Sequence, residues 1–287
     1  MTRPRATAVG FIAVLLWSLL ALFTVGSAPT PPLLMNTLCF AIGGTIGFLW
    51  ATATGTLNTL RQVPLKVYVF GTLGLFGYHL LYFSALRLAP AAEAGLIAYL
   101  WPLLIVVMSS LLPNERLRAG HIFGALLGFA GAALIITGGG AGFAAAHLLG
   151  YVLALLAAFV WAGYSVLSRL IETAPTACVA VFCLATAALS LPLHLIFKET
   201  ILPTTSTGWA AIIGLGLGPV GLAFYVWDIG VKQGDIQLLG TSSYAAPLLS
   251  TLILVLFGVA APSVTLLWAA GLITGGAALA ARASFGR

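Results

Sequence analysis

The chain has 287 residues, 61% of them hydrophobic and only 6% charged, with a formal net charge of +6. An ordinary soluble domain carries roughly 25% charged residues, so this chain cannot cover a water-facing surface and must be solvated by lipid. Within a bilayer every backbone polar group needs an internal partner, which leaves helices and closed barrels. Long unbroken apolar runs exclude the barrel, whose strands alternate apolar and polar residues, and define an all-α integral membrane protein.

A helical crossing takes about 20 apolar residues. Charges, prolines and glycine clusters divide the chain into spans at 7–25, 33–52, 67–86, 92–111 and 120–137, then 148–170, 177–197, 209–229, 236–259 and 264–281. Arg3 and Arg5 ahead of the first run imitate a secretory signal, but Trp17 within it answers Trp161 of the sixth span. The first span is therefore read as a member of an internal repeat. One constant offset relates Tyr82 to Trp227, Arg87 to Lys232, Tyr99 to Tyr244 and Pro102 to Pro247, and Cys39 answers Cys183 at nearly that spacing. The Gly- and Ala-rich stretch 138–146 joins the copies, residues 1–140 and 141–287.

Five spans per copy is an odd number, so the second copy is inverted relative to the first. Arg3, Arg5, Arg61, Lys66, Arg116, Arg118, Arg169, Lys232, Arg282 and Arg287 fall on one side, and only Arg87 and Lys198 on the other. The positive-inside rule places the richer side, with both termini, in the cytoplasm. The basic balance thus reflects membrane topology and gives no nucleic-acid face. Inverted repeats are an architecture of secondary transporters, with the substrate site near the midplane between copies.

In the third span Tyr78, His79 and Tyr82 share one helical sector, and an ionisable residue so deep in a membrane is a functional candidate. The alternative is a neutral imidazole bonded to a neighbouring carbonyl. Tyr99 and Trp101 in the fourth span face one cavity only where Pro102 distorts the backbone. Trp17, Trp161 and Tyr164, with Ser243 and Tyr244 in the ninth span, complete the candidate substrate-binding set, against the alternative of an interfacial aromatic belt. Trp50, Trp209 and Trp268 read as belt or core. Pro102 and Pro247, read as mid-helix prolines, free the carbonyls of Ala98 and Ser243. Gly71, Gly74 and Gly77 make the third span flexible, and Gly218 and Pro219 do the same in the eighth; with Pro102 and Pro247, Gly74, Gly77, Gly218 and Pro219 are the expected hinges.

His121, His147 and His194 near span ends are expected to snorkel, and Asp228 to be solvated or paired with Lys232. The spacings Gly124-x-x-x-Gly128 and Gly271-x-x-x-Gly275 serve close packing within the bundle or a homodimer. Cys39, Cys178 and Cys183, an odd set in apolar spans, do not make a disulfide framework. No nucleophile elbow, zinc helix or P-loop pattern occurs. No cofactor, metal or ATPase subunit is expected, and the partners are the bilayer and a small solute.

Phe83-Ser-Ala-Leu-Arg-Leu-Ala-Pro90, Ala98-Tyr-Leu-Trp-Pro-Leu103 and Asn114-Glu-Arg-Leu117, followed by Gly120, Gly124, Gly128 and Gly131, carry a family resemblance. So do Trp227-Asp-Ile-Gly-Val-Lys-Gln-Gly234, Ser243-Tyr-Ala-Ala-Pro-Leu248, Gly271 and Gly275. Both halves resemble the five-helix unit of the drug/metabolite transporter superfamily in its EamA-type branch. Tyr-Leu-Trp-Pro with Trp-Asp-x-Gly most resembles the YddG-type aromatic amino-acid exporters. The resemblance implies export of aromatic amino acids across a bacterial inner membrane by alternating access. A carrier or channel-like facilitator for other amino acids, drugs or sugar derivatives is the alternative, and an intramembrane enzyme a remote one. The second copy has Ala260-Ala-Pro262 where the family often repeats the acid at Glu115, which argues against a symmetric gate built on that residue.

Overall fold

The computed structural model describes residues 1–113, 115–138, 140, 142–171, 173–197 and 199–285, with Phe285 described by its backbone alone. Asn114, Lys198, Arg287 and Ala141, which opens the second expected copy, lie outside the described residues. Among the described residues ten helices are long and apolar enough to cross a membrane. They are Arg3–Gly26, Pro32–Ala53, Leu65–Leu88, Ala91–Leu111, Ala119–Thr137, Ala145–Ile171, Cys178–Phe197, Ser206–Gln233, Ile236–Leu256 and Val264–Ser284. Composition and apolar run length locate each of them within a few residues. A short helix, Leu57–Arg61, was not read from the sequence; Tyr68 Oη donates to its Leu60 carbonyl at 2.6 Å.

The two halves pack on each other more than each packs on itself. The fifth span lies along the tenth, the second along the seventh and the fourth against the ninth, while the first pairs with the eighth and the third with the sixth. Exchanging the halves maps the first–eighth pair onto the sixth–third pair and leaves the other pairings unchanged. This is the two-fold arrangement of an inverted repeat. Glycine permits the closest approaches. A Cβ at Gly230 would sit 2.5 Å from Gly10 Cα, and one at Gly124 would sit 2.5 Å from the Gly276 carbonyl. The first small-residue motif thus serves packing within the chain, whereas Gly271 and Gly275 meet nothing within 4 Å.

Several spans are discontinuous. The fourth consists of Ala91–Ala98 and Trp101–Met108, and its repeat mate, the ninth, of Ile236–Ser242 and Ala245–Leu256. The prolines open the second pieces rather than interrupting a continuous helix. Pro102 occupies the first turn of Trp101–Met108, where its missing N–H removes nothing, and Pro247 lies in the first turn of Ala245–Leu256. The expected free carbonyl at Ser243 is therefore a correction: it accepts from Ala246 N at 3.1 Å. The eighth span passes through a π turn, Gly218–Leu222, between Ser206–Leu217 and Ala223–Gln233. The first breaks at Ser18 and Leu19, between Arg3–Trp17 and Leu20–Gly26. By contrast Leu65–Leu88 and Leu148–Ser168, the symmetry counterparts of that broken pair, are continuous.

Candidate substrate-binding site

A cavity of about 190 Å³ lies where the halves meet. Trp17, Tyr78, His79, Tyr82, Tyr99, Trp101 and Trp161 line it, joined by Leu20, Pro219, Val220 and Phe224. The third-span helix places Tyr78 and Tyr82 one turn apart, and their rings stack at 5.9 Å. The break at Tyr99 and Leu100 turns Tyr99 and Trp101 to the same space, with ring centroids 6.4 Å apart. Trp17 meets its repeat mate Trp161 at 5.9 Å, edge to face, and also Trp101 at 5.9 Å. Trp17 Nε1 donates to the Pro219 carbonyl at 3.1 Å, so the π turn supplies an acceptor that fixes the indole.

Polar capacity in the cavity is small and specific. His79 Nδ1 lies 2.7 Å from the Leu75 carbonyl. A carbonyl can only accept, so Nδ1 carries the proton and Nε2 of the neutral ring is left as an acceptor. The hydroxyls of Tyr78, Tyr82 and Tyr99 have no protein partner among the described residues. No charged side chain among the described residues lines the cavity. Such a site suits a flat apolar ring with a head group that has both a donor and an acceptor end but no net charge.

Some expected site residues lie elsewhere. Tyr164 packs on Phe70 at 5.7 Å and fills the space above Gly74, where a Cβ would come within 2.5 Å of its ring. Tyr244 is fully buried, and its Oη accepts from Leu103 N at 3.1 Å. It thereby satisfies a donor exposed by the break in the fourth span. Ser243 Oγ donates to the Leu239 carbonyl at 2.8 Å and is buried. Phe224 was not anticipated, although it stands at the constant repeat offset from His79, and the two rings lie 6.3 Å apart. Leu20 and Val220 carry no sequence signal of their own.

Outside the cavity, His121 and His194 are fully buried rather than snorkelling. His121 Nδ1 accepts from Arg118 N at 3.2 Å, and His194 Nε2 lies 3.0 Å from Thr200 Oγ1. Asp228 is paired with Lys232 at 3.0 Å in a buried i,i+4 bridge and accepts from Thr176 at 2.7 Å. Trp50 and Trp268 are each 70% exposed near span ends, as belt residues are.

One face of the bundle is tied by ion pairs. Glu115, between the fourth and fifth spans, accepts from Arg3 at 3.0 and 3.1 Å and lies 3.3 Å from Arg169. Arg3 also reaches Asp235 at 3.5 Å, and Arg169 donates to the Gly234 carbonyl at 2.7 Å. Segments of both halves are therefore clamped around one carboxylate. The equivalent position in the second copy is Ala260, so the opposite face has no such clamp centred there.

Comparison with known proteins agrees with this architecture. The model of the EamA-like transporter family matches twice, over residues 5–137 and 148–282. The chain is 54% identical over 98% of both lengths to the aromatic amino acid exporter YddG of Ancylobacter novellus. It is 25% identical, over 88% of both lengths, to the aromatic amino acid exporter YddG of Escherichia coli. A solved structure with 53% identity superposes with a TM-score of 0.95 over 98% of both chains. Two repeats of one transporter domain over most of the chain, and the 54% identity to an exporter along nearly its whole length, make it a transporter rather than an enzyme: the chain belongs to the EamA-like transporter family.

Proposed function

We propose that this protein exports aromatic amino acids across the bacterial inner membrane by alternating access, with both termini in the cytoplasm. The uncharged aromatic cavity at the contact between the two halves carries this reading, and the names of the similar exporters support it. The substrate ring packs among Trp17, Trp101, Trp161 and Tyr78. His79 Nε2 accepts from the ammonium group, and the hydroxyls of Tyr78, Tyr82 and Tyr99 donate to the carboxylate. A zwitterion needs no countercharge there, whereas a net charge would be costly.

At about 190 Å³ the cavity is smaller than the roughly 300–1,000 Å³ of typical ligand pockets, so its rings part to admit substrate. The Glu115 clamp closes the cytoplasmic face in this conformation and releases when that face opens. The boundary between halves is set at residues 140 and 141, inside the interval between the matched repeats. A homodimer through Gly271 and Gly275 is the second-copy contact left open by the small-residue spacing.

Counterflow into liposomes preloaded with phenylalanine tests the proposal. Phenylalanine, tyrosine and tryptophan should exchange saturably, and lysine and glutamate should not. Equal transport of the charged amino acids, or flux that never saturates, would remove the neutral-cavity carrier from consideration.

A further inference from the structure

We propose that the cleft between the second, third and seventh spans, on the face opposite the Glu115 clamp, binds an anionic phospholipid through Arg87. The cleft has a volume of about 320 Å³, and Leu33, Leu80, Phe83, Ser84, Arg87 and Leu193 line it. From Leu80 to Arg87 the helix rises about 10 Å. The cation therefore stands at the rim, with an apolar channel beneath it. This is the layout of a lipid phosphate above its acyl chain.

The internal repeat shows what Arg87 lacks. Its mate Lys232 is buried against Asp228 at 3.0 Å and donates to the Ala174 carbonyl at 2.9 Å. At the position equivalent to Asp228 the first copy has Phe83. One substitution of kind thus removes the counter-ion and adds an apolar ring to the cleft. Arg87 is exposed and has no acidic partner among the described residues. The C-terminal end of Leu65–Leu88 favours a cation in that last turn, but it supplies no anion. Basic residues flanking membrane helices recognise anionic head groups through the same attraction.

A free amino acid fits this cleft poorly. Ser84 Oγ already donates to the Leu80 carbonyl at 2.7 Å, and the leucines and Phe83 offer nothing to an ammonium group. A phosphate diester requires only the guanidinium. Occupancy would bear on transport because Phe83 touches His79, with ring centroids 5.9 Å apart. A chain lying on Phe83 would brace the helix that carries Tyr78, His79 and Tyr82.

The test uses the purified full chain in phosphatidylcholine vesicles with and without phosphatidylglycerol, alongside native mass spectrometry of retained lipid. Phosphatidylglycerol should raise phenylalanine counterflow several-fold and remain bound in the spectrum. Arg87→Gln should lose both effects while keeping the phosphatidylcholine rate, and Arg87→Lys should keep them. Arg61→Gln, on the opposite face, should respond like the parent. An unchanged phosphatidylglycerol response and lipid retention in Arg87→Gln overturns the site, as does an equal loss in Arg61→Gln, which would mark a general surface-charge effect. If Arg87→Gln instead alters the preference for phenylalanine over its amide in phosphatidylcholine alone, the cation handles a substrate carboxylate and the lipid site is wrong. Lipid retention is read without transport, so a failure of the substrate assignment is distinguishable from a failure of this one.

Discussion

Trp101 illustrates how a single residue can be read from the chain and then tested. Its ring stands edge-on to Trp17, Trp161 and Trp227 at 5.9, 6.3 and 5.8 Å. A good aromatic pair is worth about 1 kcal/mol beyond area burial. Trp101→Ala should therefore weaken aromatic substrates roughly five-fold for each pair the ligand ring forfeits, and barely touch small aliphatic ones; competition assays across such substrates measure the difference. His79→Ala should weaken both classes, because Nε2 addresses the amino group common to them. Parental phenylalanine transport in both variants would make this wall structural. Tyr244→Phe should behave differently. It leaves Leu103 N without its acceptor, at a cost of about 1–3 kcal/mol when a buried donor goes unpaired, so thermal stability should fall while the order of substrate preference is kept. Tyr78, His79 and Tyr82 were legible because helical periodicity alone puts them on one face. Tyr164 and Tyr244 were not, because each fills a gap left by a glycine on another helix, Gly74 and Gly128 respectively. A glycine gap declares its occupant only once the helices are packed. Phe224 was legible in principle, since the offset that relates Tyr82 to Trp227 also relates His79 to it.

At the scale of elements, the informative feature is an inequality between equivalent pairs. The first and eighth spans are broken at Ser18 and at Gly218–Leu222, while their counterparts, the sixth and third, run straight. In an inverted repeat the opposite access state is reached when the halves exchange conformations. The third span should then bend near Gly74 and Gly77 as the eighth straightens. Gly77 has room to do so, its Cβ position lying 3.7 Å from the nearest side chain, whereas Gly74 must first release the Tyr164 ring. Replacing Gly218 and Pro219 together with alanine should favour a regular helix and slow turnover by more than it weakens substrate binding, which it touches through the Trp17 anchor at the Pro219 carbonyl. Calorimetric binding measured beside counterflow separates the two, and an undiminished rate would dismiss the eighth-span hinge. Span positions were legible because bilayer thickness dictates apolar run length. Break positions were less so: a proline was mistaken for the interruption itself when it opens the following half-helix, and the break at Ser18 and Leu19 contains no proline or glycine to announce it.

For the whole molecule, the odd number of spans per copy and the uneven distribution of basic residues argue for an inverted arrangement with both termini in the cytoplasm. Single cysteines at Gly142 and Arg61 should label from opposite faces, the former outside and the latter inside; labelling of both from one side would dismantle the inverted arrangement. Arg3 of the first span and Arg169 of the sixth converge on Glu115, whose side chain is only 4% exposed, and Arg3 also reaches Asp235 between the eighth and ninth spans. The equivalent position is Ala260, so no carboxylate stands there to repeat the clamp at the opposite face, and the clamp is expected to tilt the conformational balance between the halves. Arg3 is 38% exposed, so solvent screening limits its share to about 1 kcal/mol or less, whereas Arg169, at 16%, is screened less and carries a larger desolvation cost. Glu115→Gln leaves two guanidiniums facing each other without the carboxylate that joins them. The clamped face should then loosen, and a cysteine at Ser242, which lines the cleft beside Arg3 and Asp235, should react several-fold faster with a membrane-impermeant maleimide. A cysteine at Gly142, on the opposite face, should keep or lose reactivity but not gain it. Glu115→Asp, which retains the charge on a shorter arm, should fall between the parent and the glutamine variant. Equal labelling of Ser242Cys in the parent and Glu115→Gln backgrounds would mean that the clamp holds loops in place without weighing on access, and that the tilt between the two states arises in the broken helices instead.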